Sequence, residues 1–390
     1  MKKAVFLFAI IFIITSTTGC WNRRELSDLG IIGAAAIDAE GDRVRMTYEI
    51  ISPIRLDTKT GQSELATYFQ SEGETIFDAN RNATLKFDKK LFWSHANVYF
   101  FNEKAAQNGM LTYLDYFNRN HESRRFVNIA IVKGRSAFEI MGVDGSQGDV
   151  PSSFVEKLYE NYSSNGKSAS IKILDFLKAY YAEGIEPVVG VVEIVKRSED
   201  KLTIPILAKE QVMASTEGLA VFKDDQLKGF LNGIQTRAYN FVIGKIKSGV
   251  IVSTSPDGKG KNSLEIIEAS GGVDVEIKNG KYSGKVEISV SGELNEETGK
   301  KDISSIEELG KIQDSSSLVV KQEIENSIKA VQGLGSDVFG FGQAVHKKYP
   351  EIWKKIKNNW NTIFSTLQVV VKVKSTIQGI GVSDEQISAK

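Results

Sequence analysis

VDVEIKNGKYSGKVEISV, residues 273–290, alternates apolar and polar side chains on both sides of Asn279-Gly280. Period-two alternation marks a strand with one buried face, and Asn-Gly supplies the positive φ angles that a two-residue type I′ turn needs. The stretch predicts a β-hairpin with strands over 273–277 and 282–290. Such a turn sets Lys278 opposite Lys281, Ile277 opposite Tyr282 and Val273 opposite Val286, so the apolar set shares one face. That face needs a cover, and the chain downstream offers one. Val320, Ile324, Ile328 and Val331 make a single helical stripe, with Ser315 to Ser317 as candidate caps, Glu325 four residues before Lys329, and Gly333 and Gly335 as its end. Pro350 suits the first turn of a second helix, 350–364, whose stripe is Trp353, Ile356, Trp360 and Ile363. A strand over 368–377 and a second hairpin, 219–222 with 227–230 around 223–226, complete a sheet packed on a long helix. This predicts a C-terminal α+β domain over 205–385.

Upstream, 44–54, 92–101 and 126–133 are rich in β-branched and aromatic residues and read as strands. Between them, Ile76, Phe77, Ala83 and Leu85, then Met110, Leu111, Leu114 and Phe117, have helical spacing within 76–91 and 105–118. Polar, turn-rich stretches at 57–64 and 143–153 read as loops. After 163–170, Ile173, Leu174, Leu177 and Tyr181 predict a short helix, and 188–195 a strand. The fold class expected is α+β, with two or three domains of mixed or antiparallel sheets packed with helices. The divisions expected are 20–144, a small module over 145–204 interleaved with the first domain, and 205–385.

The N terminus carries a different signal. Lys2 and Lys3 precede an unbroken apolar run from Ala4 to Ile14, too short to span a bilayer, which ends in Ser16, Thr17, Thr18 and Gly19. Residues 1–19 therefore read as a signal peptide. The single cysteine of the chain, Cys20, stands at the join, and a lone thiol in an exported protein needs a partner chain, a reaction or a modification. Thr17-Thr18-Gly19-Cys20 resembles a bacterial lipobox, although Thr17 stands where Leu, Val or Ile is usual. An ordinary signal peptide beside a stray thiol is the other reading, and it accounts less well for both flanks. Two acyl chains on Cys20 give durable anchoring where one does not. Trp21, Arg23 and Arg24 would then lie near the headgroups.

Composition limits the chemistry. Lys plus Arg and Asp plus Glu are both 49, a balance that argues against a nucleic-acid binder. One cysteine allows no internal disulfide, so the core rests on apolar residues, 41% of the chain. His95, His121 and His346 are scattered without metal-ligand spacing. No G-x-S-x-G occurs, and the Gly333–Gly342 stretch lacks the lysine of a P-loop. Glu296-Glu297 and Glu307-Glu308 look like solvated surface, and the lysines at 347, 348, 354, 355 and 357 like the wet side of the tryptophan helix. No catalytic, metal or cofactor site is nominated, and no cofactor is expected.

Several segments carry a resemblance in consistent order along the chain. Cys20-Trp21-Asn22-Arg23-Arg24-Glu25 is similar to the C-W-D-R-R-E start of the Ger(x)C spore germination lipoproteins, the C subunits of nutrient germinant receptors, with Asn22 in place of Asp. Ser94-His95, Leu114-Asp115, Arg119, Arg124 and 137–140 add to it, as do Asp337-x-x-Gly340-Phe341-Gly342, Pro350 and Trp353. The resemblance implies a three-domain α+β lipoprotein on the outer face of the spore inner membrane, without catalytic activity. It implies partners too: integral-membrane A-type and B-type receptor subunits, membrane lipid through acylated Cys20, no nucleic acid, and a small nutrient whose direct contact is open. Asp337, Gly340, Phe341, Gly342, Pro350 and Trp353 become candidate structural or interface residues of the last domain. A solute-binding lipoprotein of a transporter is the alternative, and it would show two similar α/β lobes.

Overall fold

The computed structural model of the chain describes residues 25–51, 66–143, 150–196, 212–299 and 305–380. Its first half is built on one mixed sheet. Strands β1 (Leu29–Glu40), β2 (Arg43–Ile51) and β3 (Ala66–Gly73) form an antiparallel meander. On the other side of β1, the strands β4 (Lys90–Phe92), β5 (Val98–Asn102), β6 (Asn128–Val132) and β7 (Val188–Lys196) run parallel. Strands β8 (Val212–Ser215), β9 (Leu219–Lys223) and β10 (Gln226–Leu231) close the far edge antiparallel, giving the order β10-β9-β7-β6-β5-β1-β2-β3 with β4 beside β1 and β8 beside β7. Helices α1 (Ile76–Asn82), α2 (Glu103–Asn108), α3 (Leu111–Arg119), α4 (Pro151–Glu160), α5 (Ile173–Tyr181) and α6 (Gly233–Val242) cover it.

The second unit is a four-stranded sheet, β11 (Val250–Thr254), β12 (Lys261–Lys278), β13 (Lys281–Glu297) and β14 (Gln368–Gly379), in that spatial order. The hairpin of β12 and β13 has the expected register, Lys278 to Lys281, Ile277 to Tyr282 and Val273 to Val286, with Asn279 at φ 52° and Gly280 at φ 73°. Strand β14 pairs parallel to β13. A parallel return needs a long crossover. The crossover consists of α7 (Ile306–Gly333), α8 (Phe341–Lys348), α9 (Pro350–Ile356) and α10 (Trp360–Ser365). Val320, Ile324, Ile328 and Val331 of α7 are buried, each worth roughly 1.5–3 kcal/mol relative to exposure.

One apolar core runs from the α1–α3 face of the large sheet through α6 into the second unit, joining Trp93, Tyr99 and Phe117 at one end to Phe341, Trp353 and Phe364 at the other. A smaller core fills the opposite face of the large sheet under α4 and the turn 137–142. The expected divisions at 144/145 and 204/205 both fall inside the large sheet, because β7 pairs with β6 and with β9.

Several expected elements take other bounds. The strand over 92–101 is two strands, because Trp93 turns into the core and the Asn97 amide donates to the Gly33 carbonyl at 2.8 Å. The helix over 76–91 stops at Asn82 and a short 3-10 turn, after which Phe87 lies against Gly30. The helix over 105–118 breaks at Gly109, φ 114°. Its second half, α3, is capped from the β9–β10 turn, where Asp225 accepts the amides of Met110 (2.8 Å, at its carbonyl) and Leu111 (3.2 Å, at Oδ2). That turn is the two residues Asp224-Asp225, tighter than the four expected. Ser305, with its side chain on the Glu308 amide, caps α7, and Ser316 is instead buried in mid-helix. Within 350–364 a 3-10 turn at Lys357–Asn359 splits the helix in two.

Candidate functional site

Downstream of α7 the chain turns at Gly335 (φ 63°) and buries Asp337, which is 1% exposed. Its Oδ1 accepts the amides of Gly340 (2.9 Å) and Phe341 (3.1 Å), and its Oδ2 accepts the Gly342 amide (2.7 Å) and the Trp360 indole N–H (2.9 Å). The carboxylate thus satisfies the first amides of α8, donors that no helix can pair internally. Gly340 stands at φ 80°, where a side chain is strained. Gly342 has no room for one: a Cβ would lie 2.6 Å from Trp360 Nε1 and 2.9 Å from Gly184 Cα. Phe341 is fully buried and faces Gly284 of β13. Trp353, 3% exposed, meets Trp360 edge-on at 5.6 Å and stacks on the His346 ring at 6.0 Å. Of the six residues expected in this domain, Gly340, Phe341 and Gly342 bind the carboxylate of a fourth, Asp337, and Trp353 joins them through Trp360. Pro350 is exposed and only opens α9.

The cluster docks on the first unit through the α5–β7 connection. The Gln343 amide donates to the Gly184 carbonyl (2.7 Å), the Glu186 amide to the Asp337 carbonyl (3.0 Å), and the Trp353 indole to Glu183. Glu186 Oε2 accepts the Asp224 amide at 2.7 Å. Burial pushes Asp337 up to about 6 although its four hydrogen bonds pull the other way. Burial also lifts Glu186 to about 7, helped by Asp224 and Asp337 nearby. The Trp353 hydrogen bond holds Glu183 below the usual carboxylate range. Glu183, Gly184 and Glu186 escaped the sequence reading; Gly184 (φ 81°) just ahead of Pro187 was the turn signal available for them.

A second place of interest is a cleft of about 390 Å³ where β5 and β6 begin, lined among others by Ser94, His95, Arg124, Glu156 and Lys172. The Ser94 hydroxyl donates to the Glu122 carbonyl (2.9 Å), Asn97 donates to Glu156 (2.6 Å), and Lys172 sits 5.8 Å from the centre of the Phe126 ring. A serine committed to a carbonyl is not an activated nucleophile. Among the described residues no group of three or more His, Cys, Asp or Glu side chains is arranged to hold a metal, and no helix is long and apolar enough to cross a membrane. Cys20, Trp21, Arg23 and Arg24 lie outside the described residues.

With this geometry in place, known proteins are informative. A family model described as the spore germination protein N-terminal domain matches residues 22–194, and one described as spore germination B3/GerAC like, C-terminal, matches 217–381. Spore germination protein KC of Bacillus subtilis (strain 168) is 25% identical, covering 99% of this chain and 98% of its own. Spore germination protein A3 of the same organism is 25% identical over 98% of each chain, and spore germination protein B3 is 24% identical over 94% and 95%. A crystal structure of the GerBC protein shares the fold, with a TM-score of 0.53 at 19% identity over 88% of this chain and 96% of that one. The second matched segment starts at 217, so β9 and β10 belong to it by sequence while completing the sheet of the first. The chain belongs to the Ger(x)C family of spore germination proteins.

Proposed function

We propose that this chain is the lipid-anchored, non-enzymatic C subunit of a germinant receptor, held by a diacylglyceryl group on Cys20 at the outer face of the spore inner membrane. There it assembles with integral-membrane A-type and B-type subunits and serves the response of the spore to nutrients. The end-to-end match to germination proteins carries this reading, since 99% of the chain aligns with 98% of protein KC. The lone thiol after a charged and apolar leader supports the anchor. The Asp337 cluster is read as the joint that fixes the second unit on the first, leaving the outer surfaces for partners. The two sheets differ in strand number and connectivity, which weighs against the paired lobes of a solute-binding lipoprotein.

Affinity isolation of the tagged chain from detergent-solubilised spore membranes tests the assembly. Two integral-membrane receptor subunits should co-isolate, and they should be lost with Asp337→Ala or Gly340→Val if the joint shapes the docking surface. Recovery of the chain alone would count against a receptor role. Titration of the mature chain with amino acids and sugars should give no stoichiometric heat; tight binding would favour the solute-binding alternative.

A further inference from the structure

The parallel strands β1, β4, β5 and β6 all begin at the same end of the large sheet. Leu29 pairs with Lys90, Ala34 with Val98, and Val98 with Asn128, so the loops that precede these strands share that end with the entry of the chain at Glu25. The loop from Arg119 to Phe126 packs there: Glu122 pairs with Lys90, and its carbonyl accepts the Ser94 hydroxyl. Its composition is unusual for an otherwise charge-balanced chain, with Arg119, His121, Arg124 and Arg125 against the single acid Glu122. Arg119 is held by Asp115 and Glu122 by Lys90. Arg124 and Arg125 are exposed and have no acidic partner among the described residues. Phe126 beside them is 66% exposed. Glu25, Asp28, Asp88, Asp115 and Glu160 are the exposed acids of the surroundings, outside the loop itself, and Asp115 is taken up by Arg119.

Unpaired arginines next to a largely exposed aromatic ring, which Lys172 approaches from one side, fit a surface that is anionic outside and apolar just beneath, as phospholipid headgroups are. Distance agrees. Five peptide units separate Cys20 from Glu25, so even a fully extended link reaches at most about 18 Å. We propose that the 119–126 loop is the face that this chain lays on the anionic bilayer, with Arg124 and Arg125 on phosphates and Phe126 at the headgroup boundary. The proposal rests on the lipid-anchor reading only for which end of the sheet faces the membrane. It requires that the fold have an affinity of its own for anionic lipid.

The test therefore uses the mature chain with Cys20→Ser, which cannot be acylated, so that failure of the loop and failure of the anchor are read separately. Co-sedimentation with phosphatidylcholine vesicles that contain or lack phosphatidylglycerol is the measurement. Binding is expected only with phosphatidylglycerol and should vanish at high salt. Arg124→Gln with Arg125→Gln should weaken it about thirtyfold, from about 1 kcal/mol per arginine, with unchanged thermal unfolding. Lys372→Gln with Lys374→Gln on exposed positions of β14 should leave it unaltered. Equal loss in both double variants, or no preference for phosphatidylglycerol, would overturn the proposal. So would a loop variant that binds vesicles normally yet fails to join the receptor, since that assigns the loop to a protein neighbour.

Discussion

Asp337 holds three amides of the next turn and the Trp360 indole from 23 residues on, and removing it leaves all four buried without an acceptor. Asp337→Ala should cost about 3 kcal/mol or more in urea unfolding, and Asp337→Asn should also destabilise, because its amide meets donors on one side. An unaltered midpoint in both would remove the cluster from the account. Burial raises Glu49 and Asp337 to about 6 and Glu186 to about 7, above their values in an unfolded chain. The folded state then binds protons more tightly, so its stability is greatest below the unfolded values and falls as pH rises through about 6 to 7. Melting temperature should accordingly rise when pH is lowered from 8 towards 5. Glu186→Gln should raise it at pH 8 and flatten part of the slope; a profile rising with pH would contradict this. The motif residues Asp337, Gly340 and Gly342 were legible in the sequence through resemblance. Their partner Gly184 was not, because the contact that forbids a side chain at both glycines is made between distant segments.

At the scale of elements, the Asn279-Gly280 hairpin formed in the register that its alternation implies, since local turn chemistry and one-sided burial agree there. Strand β1 went unread. Gly33, Ala34, Ala35 and Ala36 have weak strand propensity, yet β1 lies mid-sheet with both faces covered, and small residues are what two close layers admit. Helix α4 likewise went unread: the loop expected over 143–153 takes in only its first three residues, and 154–160 were assigned to no element. Its start is held by buried Glu49, which accepts the Ser152 amide at 3.1 Å from 103 residues away, and no local pattern reveals such a cap. The same holds for α3 and Asp225, 114 residues apart. Asp225→Ala should lower stability by about 1 kcal/mol, read by chemical denaturation with far-ultraviolet dichroism. Ile324→Ala in the stripe of α7 should cost about 2–5 kcal/mol. Values near zero would mean that neither contact is made in solution.

Across the whole molecule, the two units share more than a linker. The β9–β10 hairpin completes the first sheet, α6 follows it directly, and the buried Arg237 of α6 pairs with Glu323 of α7. Losing one member of a buried pair strands the other charge, so Arg237→Met should cost about 3–5 kcal/mol. Fluorescence and dichroism should then report one shared unfolding transition in the parent chain, and two separated transitions would show units that fold independently. The α+β class, the β12–β13 hairpin, β14 and the covering helix were visible in the sequence, whereas β11 was not, and the 219–230 hairpin expected in the second sheet lies in the first, because β7 finds its neighbours β6 and β9 across long intervening segments. The central claim concerns what lies ahead of this fold. The mass of the N-terminal peptide of the chain extracted from spore membranes tests it most directly. The account predicts a chain that starts at Cys20 with a diacylglyceryl thioether; a free Cys20 thiol on protein recovered from the soluble fraction would contradict it.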